Sequence, residues 1–331
     1  MPEKALVTGA SGFTGYYMVK NLIAHGYHVR VFVRPASKIN KLKPLSISIS
    51  TGDIRSEKDL EMAMTDVDIV FHIAALYRAA NLPDSEYWAV NALGTKNVLN
   101  AALKKNVKRV VHCSTVGVHG HIETPPGDEN SPFNPGDIYQ KSKAEGEKIA
   151  FSYYREKGLP VTVVRPTGIY GPGDLRMLKM YRLIQNRKFI IFGSGKTLYH
   201  LTYITDTVEG FRLAGENSKA VGQAYIIGGD EYITLNQFTQ TIAKELGVPA
   251  PSIHLPVLPL YLTSFIVEKI CVALRIQPPI FRRRLDIFYK NRAFDCSKAK
   301  RELGYKPEVG CVEGIHKTAK WYIENGLLNS K

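Results

Sequence analysis

The chain of 331 residues is long enough to bury a large core and to form one large domain or two smaller ones. Apolar residues make up 44% of it and charged residues 22%, as in an ordinary soluble globular protein. Lys and Arg outnumber Asp and Glu by 44 to 30, and the net charge of +14 favours either an anionic partner or a solvated basic surface. The sequence has no interleaved basic and aromatic recognition motif, so nucleic acid is not an expected partner.

The four cysteines, Cys113, Cys271, Cys296 and Cys311, show neither paired short spacing nor zinc-type spacing. We therefore expect reduced thiols and no metal site in a cytoplasmic protein. The N-terminus leads directly into an apolar strand, which leaves no room for a targeting segment.

A glycine-rich turn joins the first predicted strand, residues 4–8, to a helix at residues 16–25. Such a turn lets the backbone approach a pyrophosphate, and the helix N-terminus supplies free N–H groups and partial positive charge. A tight turn without a ligand is the alternative. The cofactor-binding candidates here are Gly9, Ser11, Gly12, Phe13, Thr14 and Gly15.

The second strand, residues 28–33, ends in Val33 and Arg34. An enzyme that uses NAD usually has Asp or Glu near this point to bind the ribose, and a carboxylate there would repel a 2′-phosphate. We therefore favour NADP(H), with Arg34 as the main phosphate contact and Lys38 or Lys41 assisting. Arg34 stacking on adenine without selecting a cofactor is the alternative.

Two further strands, residues 47–50 and 68–73, also end near the expected cofactor. Asp53 can accept a hydrogen bond from the adenine amino group, and small residues after the fourth strand let a cofactor lie across its end. His72, inside that strand, is predicted to be a hydrogen-bonded core histidine. The candidates at these strand ends are Asp53, Ile54, Ala74 and Ala75 for the cofactor and Leu76 for the substrate.

Asn91 opens the next predicted helix, and its role has two readings. It either caps that helix or holds the backbone of the helix that begins near residue 137; it is also a cofactor-binding candidate. The fifth strand, residues 109–113, then delivers Ser114 and Thr115 to the sheet edge, where either hydroxyl can hold a substrate alcohol or carbonyl.

Residues 137–157 carry helix formers and a mixed polar face, so Tyr139 and Lys143 lie on one side of one helix. A phenol beside an ammonium group is a useful acid–base pair, because the positive charge lowers the tyrosine pKa from about 10 toward working pH. Such a pair also occurs by chance on amphipathic helices, so on its own it is weak evidence for a catalytic role. The other motifs of the chain strengthen that interpretation.

The sixth strand, residues 161–165, ends in a proline- and glycine-rich loop, which is typical of the ligand-binding edge of a doubly wound sheet. Strands alternate with helices up to this point, which predicts parallel βαβ units. From this loop we take Pro166, Thr167 and Gly168 as cofactor-binding candidates and Tyr170 as a substrate contact.

After residue 175 the alternation is weaker. We predict a nucleotide-binding domain at 1–174 and a mainly substrate-binding domain at 175–331, with segments near 200–228 returning to the first. A short extended pair is predicted at 189–206, with Tyr199 as a substrate candidate.

Residues 255–276 are strongly apolar, but interior charges and prolines argue against a membrane-spanning helix. An amphipathic helix packed on the substrate domain is one reading. The other is a peripheral membrane contact through 255–284, with Arg282, Arg283 and Arg284 touching anionic lipid.

Taken in order, these motifs resemble those of the extended short-chain dehydrogenases/reductases. That superfamily includes nucleotide-sugar epimerases and dehydratases, dihydroflavonol reductases and 3-beta-hydroxysteroid dehydrogenases. The resemblance implies an α/β fold, a Rossmann doubly wound parallel sheet with a smaller C-terminal substrate domain, and usually a homodimer formed through the helix bearing Tyr139. It rests on Thr8-Gly9-x-x-Gly12-x-x-Gly15, Asp53-Ile54, Asn91-x-x-Gly94-Thr95, Ser114-Thr115, Tyr139-x-x-x-Lys143, Arg165-Pro166 and Ser297-Lys298-Ala-Lys300.

The resemblance also implies residue roles. Tyr139 is the general acid or base, Lys143 holds the nicotinamide ribose, and Thr115 matches the catalytic hydroxyl position better than Ser114. Nucleotide-sugar epimerases often have an Arg near the position of Lys196 to bind a phosphate, which this chain lacks. The segment Pro278-Pro279-Ile280 and the arginines after it look more like the steroid-dehydrogenase and hopanoid-associated branch.

We therefore expect an NADP(H)-dependent oxidoreductase that interconverts a secondary alcohol and a ketone. Its small-molecule substrate would be relatively apolar, such as a steroid, triterpenoid, flavonoid or keto-acyl compound. A nucleotide-sugar 4-epimerase or dehydratase with bound NAD is the alternative, and a non-catalytic Rossmann sensor or scaffold is the second alternative.

Overall fold

The computed structural model describes residues 3–77, 82–273 and 285–329. The strands are β1 (Lys4–Thr8), β2 (His28–Val33), β3 (Ile47–Thr51), β4 (Ile69–His72), β5 (Arg109–Cys113), β6 (Val161–Pro166), β7 (Gly168–Tyr170), β8 (Ile191–Phe192), β9 (Leu198–Tyr203), β10 (Ala224–Ile227), β11 (Tyr232–Thr234) and β12 (His254–Leu255). The helices are α1 (Phe13–Ala24), α2 (Glu57–Ala63), α3 (Asp84–Tyr87), α4 (Gly94–Lys104), α5 (Ile138–Lys157), α6 (Leu178–Gln185), α7 (Ile204–Glu216), α8 (Leu235–Leu246), α9 (Val257–Ala273), α10 (Asp286–Tyr289), α11 (Ser297–Leu303) and α12 (Cys311–Glu324). A π-helix spans Trp88–Leu93, and short 3₁₀ turns span Val116–His119 and Ser218–Ala220.

Seven parallel strands form the central sheet in the order β10-β6-β5-β4-β1-β2-β3. The order reverses between β1 and β4, because β2 and β3 lie on one side of β1 and the later strands lie on the other. A reversal of this kind leaves a crevice at the carboxyl ends of the strands, where ligands bind in such sheets. The predicted Rossmann fold is confirmed.

Helices cover both faces of this sheet, which is why its strands are apolar on both sides. On one face, Met18 of α1 and Phe211 of α7 are buried in the same cluster. On the other, Leu60 of α2, Leu99 of α4 and Ala150 of α5 form a second cluster.

The extended segments after residue 185 do not pair with each other as predicted. Strand β8 pairs with β12, whereas β9 lies between β7 and β11 in a separate three-stranded sheet. Strand β9 is six residues long and pairs along both edges, so it is the central strand of this three-stranded sheet.

The apolar segment predicted at 255–276 forms α9, whose exposed side chains include Leu258, Leu262, Phe265 and Ile266. No helix in the described part of the chain is long and apolar enough to cross a membrane. Arg282, Arg283, Arg284 and the segment 278–280 lie outside the described residues. The peripheral membrane contact and the homodimer stay predictions.

Backbone segments approach each other closely at two glycines, Gly9 in the turn after β1 and Gly15 in α1. A Cβ on Gly15 would lie 2.2 Å from the Gly9 carbonyl oxygen, and a Cβ on Gly9 would lie 2.7 Å from the Ala74 backbone nitrogen. Gly9 also has φ of +76°, a conformation that other residues rarely adopt. The turn therefore requires glycine at both positions.

We expect Gly15→Ala to lower the free energy of unfolding by about 1–3 kcal/mol, because the backbone must shift to admit a methyl group. Gly136→Ala is the matched control, since a Cβ there meets nothing closer than 3.4 Å. Urea unfolding measures both variants. A wild-type midpoint for Gly15→Ala would contradict the close approach.

His72 lies inside the sheet with 1% of its surface exposed. Its Nδ1 is 2.8 Å from the Thr8 hydroxyl oxygen and its Nε2 is 3.1 Å from the Thr95 hydroxyl oxygen. Burial, with a smaller effect from the positive charge of Lys143, lowers the pKa of His72 to about 3. The prediction of a hydrogen-bonded core histidine is confirmed.

This burial makes stability depend on pH. The pKa of His72 is about 3 in the folded protein and about 6.5 in the unfolded chain, so the unfolded chain binds more protons between these values. We expect its contribution to be complete above pH 6.5 and to be lost as the pH falls toward 3, with about 2 kcal/mol lost by about pH 5. Urea unfolding at about pH 7 and about pH 5 should show a smaller decrease for His72→Asn than for the wild-type protein. Equal decreases in the free energy of unfolding for the two proteins would contradict His72 as a source of this pH dependence.

Candidate active site

A cavity of about 770 Å³ lies at the carboxyl edge of the parallel sheet, within the usual range for small-molecule sites. One wall is formed by the glycine turn and the ends of β4, β5 and β6, and the other includes residues of β9 and the segment 286–292. The predicted residues that line it are Gly9, Ser11, Gly12, Phe13, Thr14, Gly15, Arg34, Asp53, Ile54, Ala74, Ala75, Leu76, Ser114, Thr115, Tyr139, Lys143, Pro166, Thr167, Gly168 and Tyr199. Four predicted residues do not line it: Lys38, Lys41, Asn91 and Tyr170.

The glycine turn fits a dinucleotide pyrophosphate. The Gly12 backbone N–H donates to the Gly9 carbonyl at 3.0 Å, which closes the turn. Helix α1 follows at once, and no side chain caps its N-terminus. Its first backbone N–H groups are therefore open to an anion, which the partial positive charge of the helix N-terminus also favours.

One end of the cavity is lined by Arg34 and Ser37 after β2 and by Asp53 and Arg55 after β3. Arg55 holds the Asp53 carboxylate through its Nη2 at 2.7 Å and its Nε at 3.1 Å. These hydrogen bonds lower the pKa of Asp53. Sequence analysis missed Arg55, although it stands only two residues beyond Asp53.

The two lysines predicted to assist Arg34 lie elsewhere. Lys41 Nζ is 6.0 Å from the ring centroid of Tyr16 on α1, and Lys38 is exposed outside the cavity. Of the three predicted phosphate contacts, only Arg34 lines the cavity, where Arg55 is paired with the carboxylates of Asp53 and Glu86.

Helix α5 positions Tyr139 and Lys143. The Asp137 side chain accepts a hydrogen bond from the Gln140 backbone N–H at 2.8 Å and so caps the helix. Tyr139 lies in the first turn, half-buried, with its ring edge-on to Tyr77 at 4.9 Å between centroids. Lys143 follows one turn later on the same side.

Lys143 is a buried cation, with 2% of its surface exposed. Its Nζ donates a hydrogen bond of 2.5 Å to the backbone carbonyl of Cys113, at the end of β5. Burial lowers the pKa of Lys143, and the neighbouring Cys113 and Glu147 oppose that effect. Cys113 itself is a free thiol, as are the other three cysteines.

The two candidate hydroxyls have different partners. Ser114 Oγ is buried and donates to Glu147 Oε2 at 2.6 Å, and Glu147 forms a buried ion pair with Arg165. Thr115 Oγ1 instead accepts from the Gly117 backbone N–H at 3.0 Å. The Thr115 hydroxyl proton is therefore available to a substrate oxygen, whereas that of Ser114 is engaged.

Asn91 holds the backbone of the loop after β4 and does not line the cavity. Its Oδ1 accepts from the Leu76 backbone N–H at 2.8 Å, and its Nδ2 donates to the Leu76 carbonyl at 3.1 Å and to Ser142 Oγ at 3.0 Å. Ser142 lies on α5 and donates in turn to the Tyr139 carbonyl. These contacts agree with the second sequence reading only in part, because Asn91 reaches the backbone of α5 through the Ser142 side chain. Asn91 does not line the cavity, which contradicts its assignment to cofactor binding.

Tyr170 is a core residue, and its assignment to the substrate is wrong. It is 1% exposed, and its hydroxyl donates to the Cys311 carbonyl at 3.3 Å. A Cβ on Gly314 of α12 would lie 2.1 Å from the Tyr170 hydroxyl. The ring therefore packs beneath α12 and points away from the cavity.

Several residues that line the cavity escaped sequence analysis. Tyr77 lies next to Tyr139, and Arg176 lies against Tyr77. Two more lie in or just after α10: Asp286 and Arg292, whose Nη2 donates to Asp286 Oδ2 at 3.1 Å. Only Arg176 had a local signal, because it closely follows the proline- and glycine-rich loop after β6.

The sequence profile of the NAD dependent epimerase/dehydratase family matches residues 5–228. The chain is 33% identical to 3beta-hydroxysteroid-dehydrogenase/decarboxylase isoform 1 of Arabidopsis thaliana, over 95% of this chain and 78% of that protein. It is 30% identical to the decarboxylating sterol-4-alpha-carboxylate 3-dehydrogenase of Homo sapiens, over 96% of this chain and 88% of that protein. The crystal structure of DesIV, a dTDP-glucose 4,6-dehydratase from Streptomyces venezuelae with NAD bound, superposes with a TM-score of 0.78 at 27% identity, over 97% of each chain.

The family profile matches about two thirds of the chain, and the relatives and the solved structure match nearly all of it. We conclude that the chain belongs to the NAD dependent epimerase/dehydratase family and is an enzyme of the extended short-chain dehydrogenase/reductase superfamily.

Proposed function

We propose that this enzyme is an NADP(H)-dependent oxidoreductase that interconverts a secondary alcohol and a ketone on a relatively apolar substrate. The observation that carries this proposal is the convergence of Tyr139, Lys143 and Thr115 on one cavity that the glycine turn also lines. A steroid, triterpenoid, flavonoid or keto-acyl compound suits the apolar part of that cavity. The apolar residues there include Leu76, Met177, Met180, Phe238 and Ile287.

The residues of this chain would handle the proton, while a bound nicotinamide supplies the hydride chemistry. In oxidation, the Tyr139 phenolate accepts the O–H proton of the alcohol as the C–H hydrogen leaves with its electron pair; in reduction, the phenol returns that proton. The Thr115 hydroxyl donates a hydrogen bond to the substrate oxygen. The charge of Lys143, fixed on the Cys113 carbonyl one turn from Tyr139, favours negative charge on the phenol oxygen.

Arg34 and Arg55 support NADP(H) as the cofactor. Both line the cavity at the end formed by β2 and β3. Two acidic residues, Asp53 and Glu86, also line the cavity, and Arg55 forms an ion pair with each of them. Arg34 would therefore be the main contact of a 2′-phosphate, and a guanidinium group suits phosphate geometry well.

We expect Tyr139→Phe to reduce kcat by about 100- to 10,000-fold, because the variant has no phenol oxygen to move the proton. Tyr154→Phe is the matched control, since Tyr154 lies on the same helix with 36% of its surface exposed. Turnover is followed as NADPH absorbance with a 3-ketosteroid. Undiminished turnover by Tyr139→Phe would exclude Tyr139 as the proton donor.

We expect Arg34→Ala to weaken NADPH binding by about 10- to 100-fold and to leave NADH binding nearly unchanged, because only NADPH presents a 2′-phosphate. Lys43→Ala removes a charge from an exposed position outside the cavity and serves as the control. Fluorescence titration of the wild-type protein and both variants with each cofactor measures the six affinities. Equal weakening for NADH and NADPH would indicate that Arg34 stacks on adenine.

A nucleotide-sugar 4-epimerase or dehydratase with bound NAD is the alternative function. The similarity to DesIV, which was solved with NAD bound, supports it, as does Arg292 in the wall opposite the cofactor turn. The nucleotide carried by the purified protein separates the two functions. Freely exchanging NADPH supports the reductase, whereas tightly held NAD without net hydride turnover supports the alternative and leaves the reductase proposal wrong.

A further inference from the structure

Glu147 is a buried carboxylate on the face of α5 that carries Tyr139 and Lys143. It lies one turn beyond Lys143, just as Lys143 lies one turn beyond Tyr139, and 1% of its side chain is exposed. Side chains four residues apart on a helix are neighbours. The Glu147 carboxylate therefore brings a negative charge next to the Lys143 ammonium group.

Glu147 also binds the strand end that Lys143 binds. Its Oε2 accepts a hydrogen bond from Ser114 Oγ at 2.6 Å, and its two oxygens accept from Arg165 Nε at 3.0 and 3.2 Å. Lys143 donates to the carbonyl of Cys113, the residue before Ser114. Successive turns of α5 thus hold successive residues at the end of β5.

The charged and titratable groups around Lys143 come from four elements. They are Tyr139 and Glu147 on α5, His112 and Cys113 on β5, His72 on β4 and, behind Glu147, Arg165 on β6. Burial and the charge of Lys143 lower the pKa of both histidines, so both are neutral at alkaline pH. Burial also lowers the pKa of Lys143 itself, and the Cys113 thiol and the Glu147 carboxylate oppose that effect.

We propose that Glu147 is a positioning residue of the active site, which keeps Lys143 charged and seated on the Cys113 carbonyl. The inference rests on the proposed function, in which Lys143 acts on Tyr139, and on the predicted contact of Lys143 with the nicotinamide ribose. Glu147 does not line the cavity, so its effect on cofactor and substrate passes through Lys143 and the end of β5. Arg165 fixes the Glu147 carboxylate in place, but its own positive charge does not balance that of Lys143.

The test compares two variants that break the same ion pair but remove opposite charges. In Glu147→Gln the amide oxygen can still accept from Ser114, but the negative charge beside Lys143 is lost. In Arg165→Gln that negative charge stays. The affinities of both variants and of the wild-type protein for NADPH and NADH are measured by fluorescence titration from about pH 7 to about pH 10. Binding needs no turnover, and circular dichroism at each pH checks that the protein is folded.

We expect the affinity for both cofactors to fall as Lys143 loses its proton, because the neutral amine holds the ribose less well. In Glu147→Gln this fall should occur about 1–2 pH units lower than in the wild-type protein, since a nearby opposite charge favours the charged form. In Arg165→Gln it should not move to lower pH. Damage to the packing around the ion pair would instead move both variants in the same direction.

Coincident pH curves for Glu147→Gln and the wild-type protein would overturn the proposal, and so would an equal lowering in Arg165→Gln. If Glu147→Gln does not fold because it leaves Arg165 buried and unpaired, the double variant Glu147→Gln/Arg165→Gln takes its place. Its fall in affinity should lie at lower pH than that of Arg165→Gln, and identical curves for these two proteins would refute the role of Glu147.

Two neighbouring groups also lose protons at alkaline pH, the Cys113 thiol and the Tyr139 phenol. The comparison is therefore repeated in Cys113→Ala and in Tyr139→Phe, and loss of the Glu147→Gln effect in either background would contradict its assignment to Lys143. Hydride transfer from NADPH to a 3-ketosteroid is measured separately. An effect of Glu147→Gln on cofactor affinity in a protein without hydride transfer would uphold the role of Glu147 and refute the redox function.

Discussion

The active site depends on a buried ammonium group bound to a backbone carbonyl. A charge in the protein interior is costly unless it is paired or hydrogen-bonded, so Lys143 must keep its contact with the Cys113 carbonyl. That carbonyl lies at the end of β5, immediately before Ser114 and Thr115. The same hydrogen bond thus fixes α5 against β5, the strand that leads to the Ser114 and Thr115 hydroxyls. It also fixes the position of Tyr139, which lies on the same face of α5 as Lys143.

A second buried charge pair supports the other side of this arrangement. Glu147 and Arg165 are 1% and 5% exposed, and Glu147 also accepts the hydrogen bond of Ser114. Arg165 Nη1 donates to the Glu129 carbonyl at 2.8 Å. A buried network whose members are hydrogen-bonded permits few alternative arrangements. The strand ends β5 and β6 are therefore held in one geometry beneath Thr115, whose hydroxyl is left for the ligand.

Local sequence was enough to predict the parallel sheet and most of the cavity residues that directly follow its strands. Glycine spacing identifies the turn at Gly9 because only glycine fits there, and helical periodicity aligns Tyr139 with Lys143. The errors arose where tertiary packing decides the outcome. Tyr170 ends β7, close in sequence to residues that line the cavity, but α12, which begins 141 residues further along, covers it. Arg176 had a local signal, but its place in the cavity also depends on contacts with Phe13 and Tyr77, which are distant in sequence.

The hydrogen bonds of Asn91 to the Leu76 backbone have a consequence for which residues can change along the cavity wall. Its amide binds the main chain at position 76 and leaves the side chain there untouched. A different side chain at that position can therefore change the shape of the cavity, which Leu76 lines. The loop would still be held next to α5, because Asn91 also bonds Ser142 on that helix. Replacements at position 76 can thus change the lining of the cavity without changing how this loop is held against the helix that carries Tyr139.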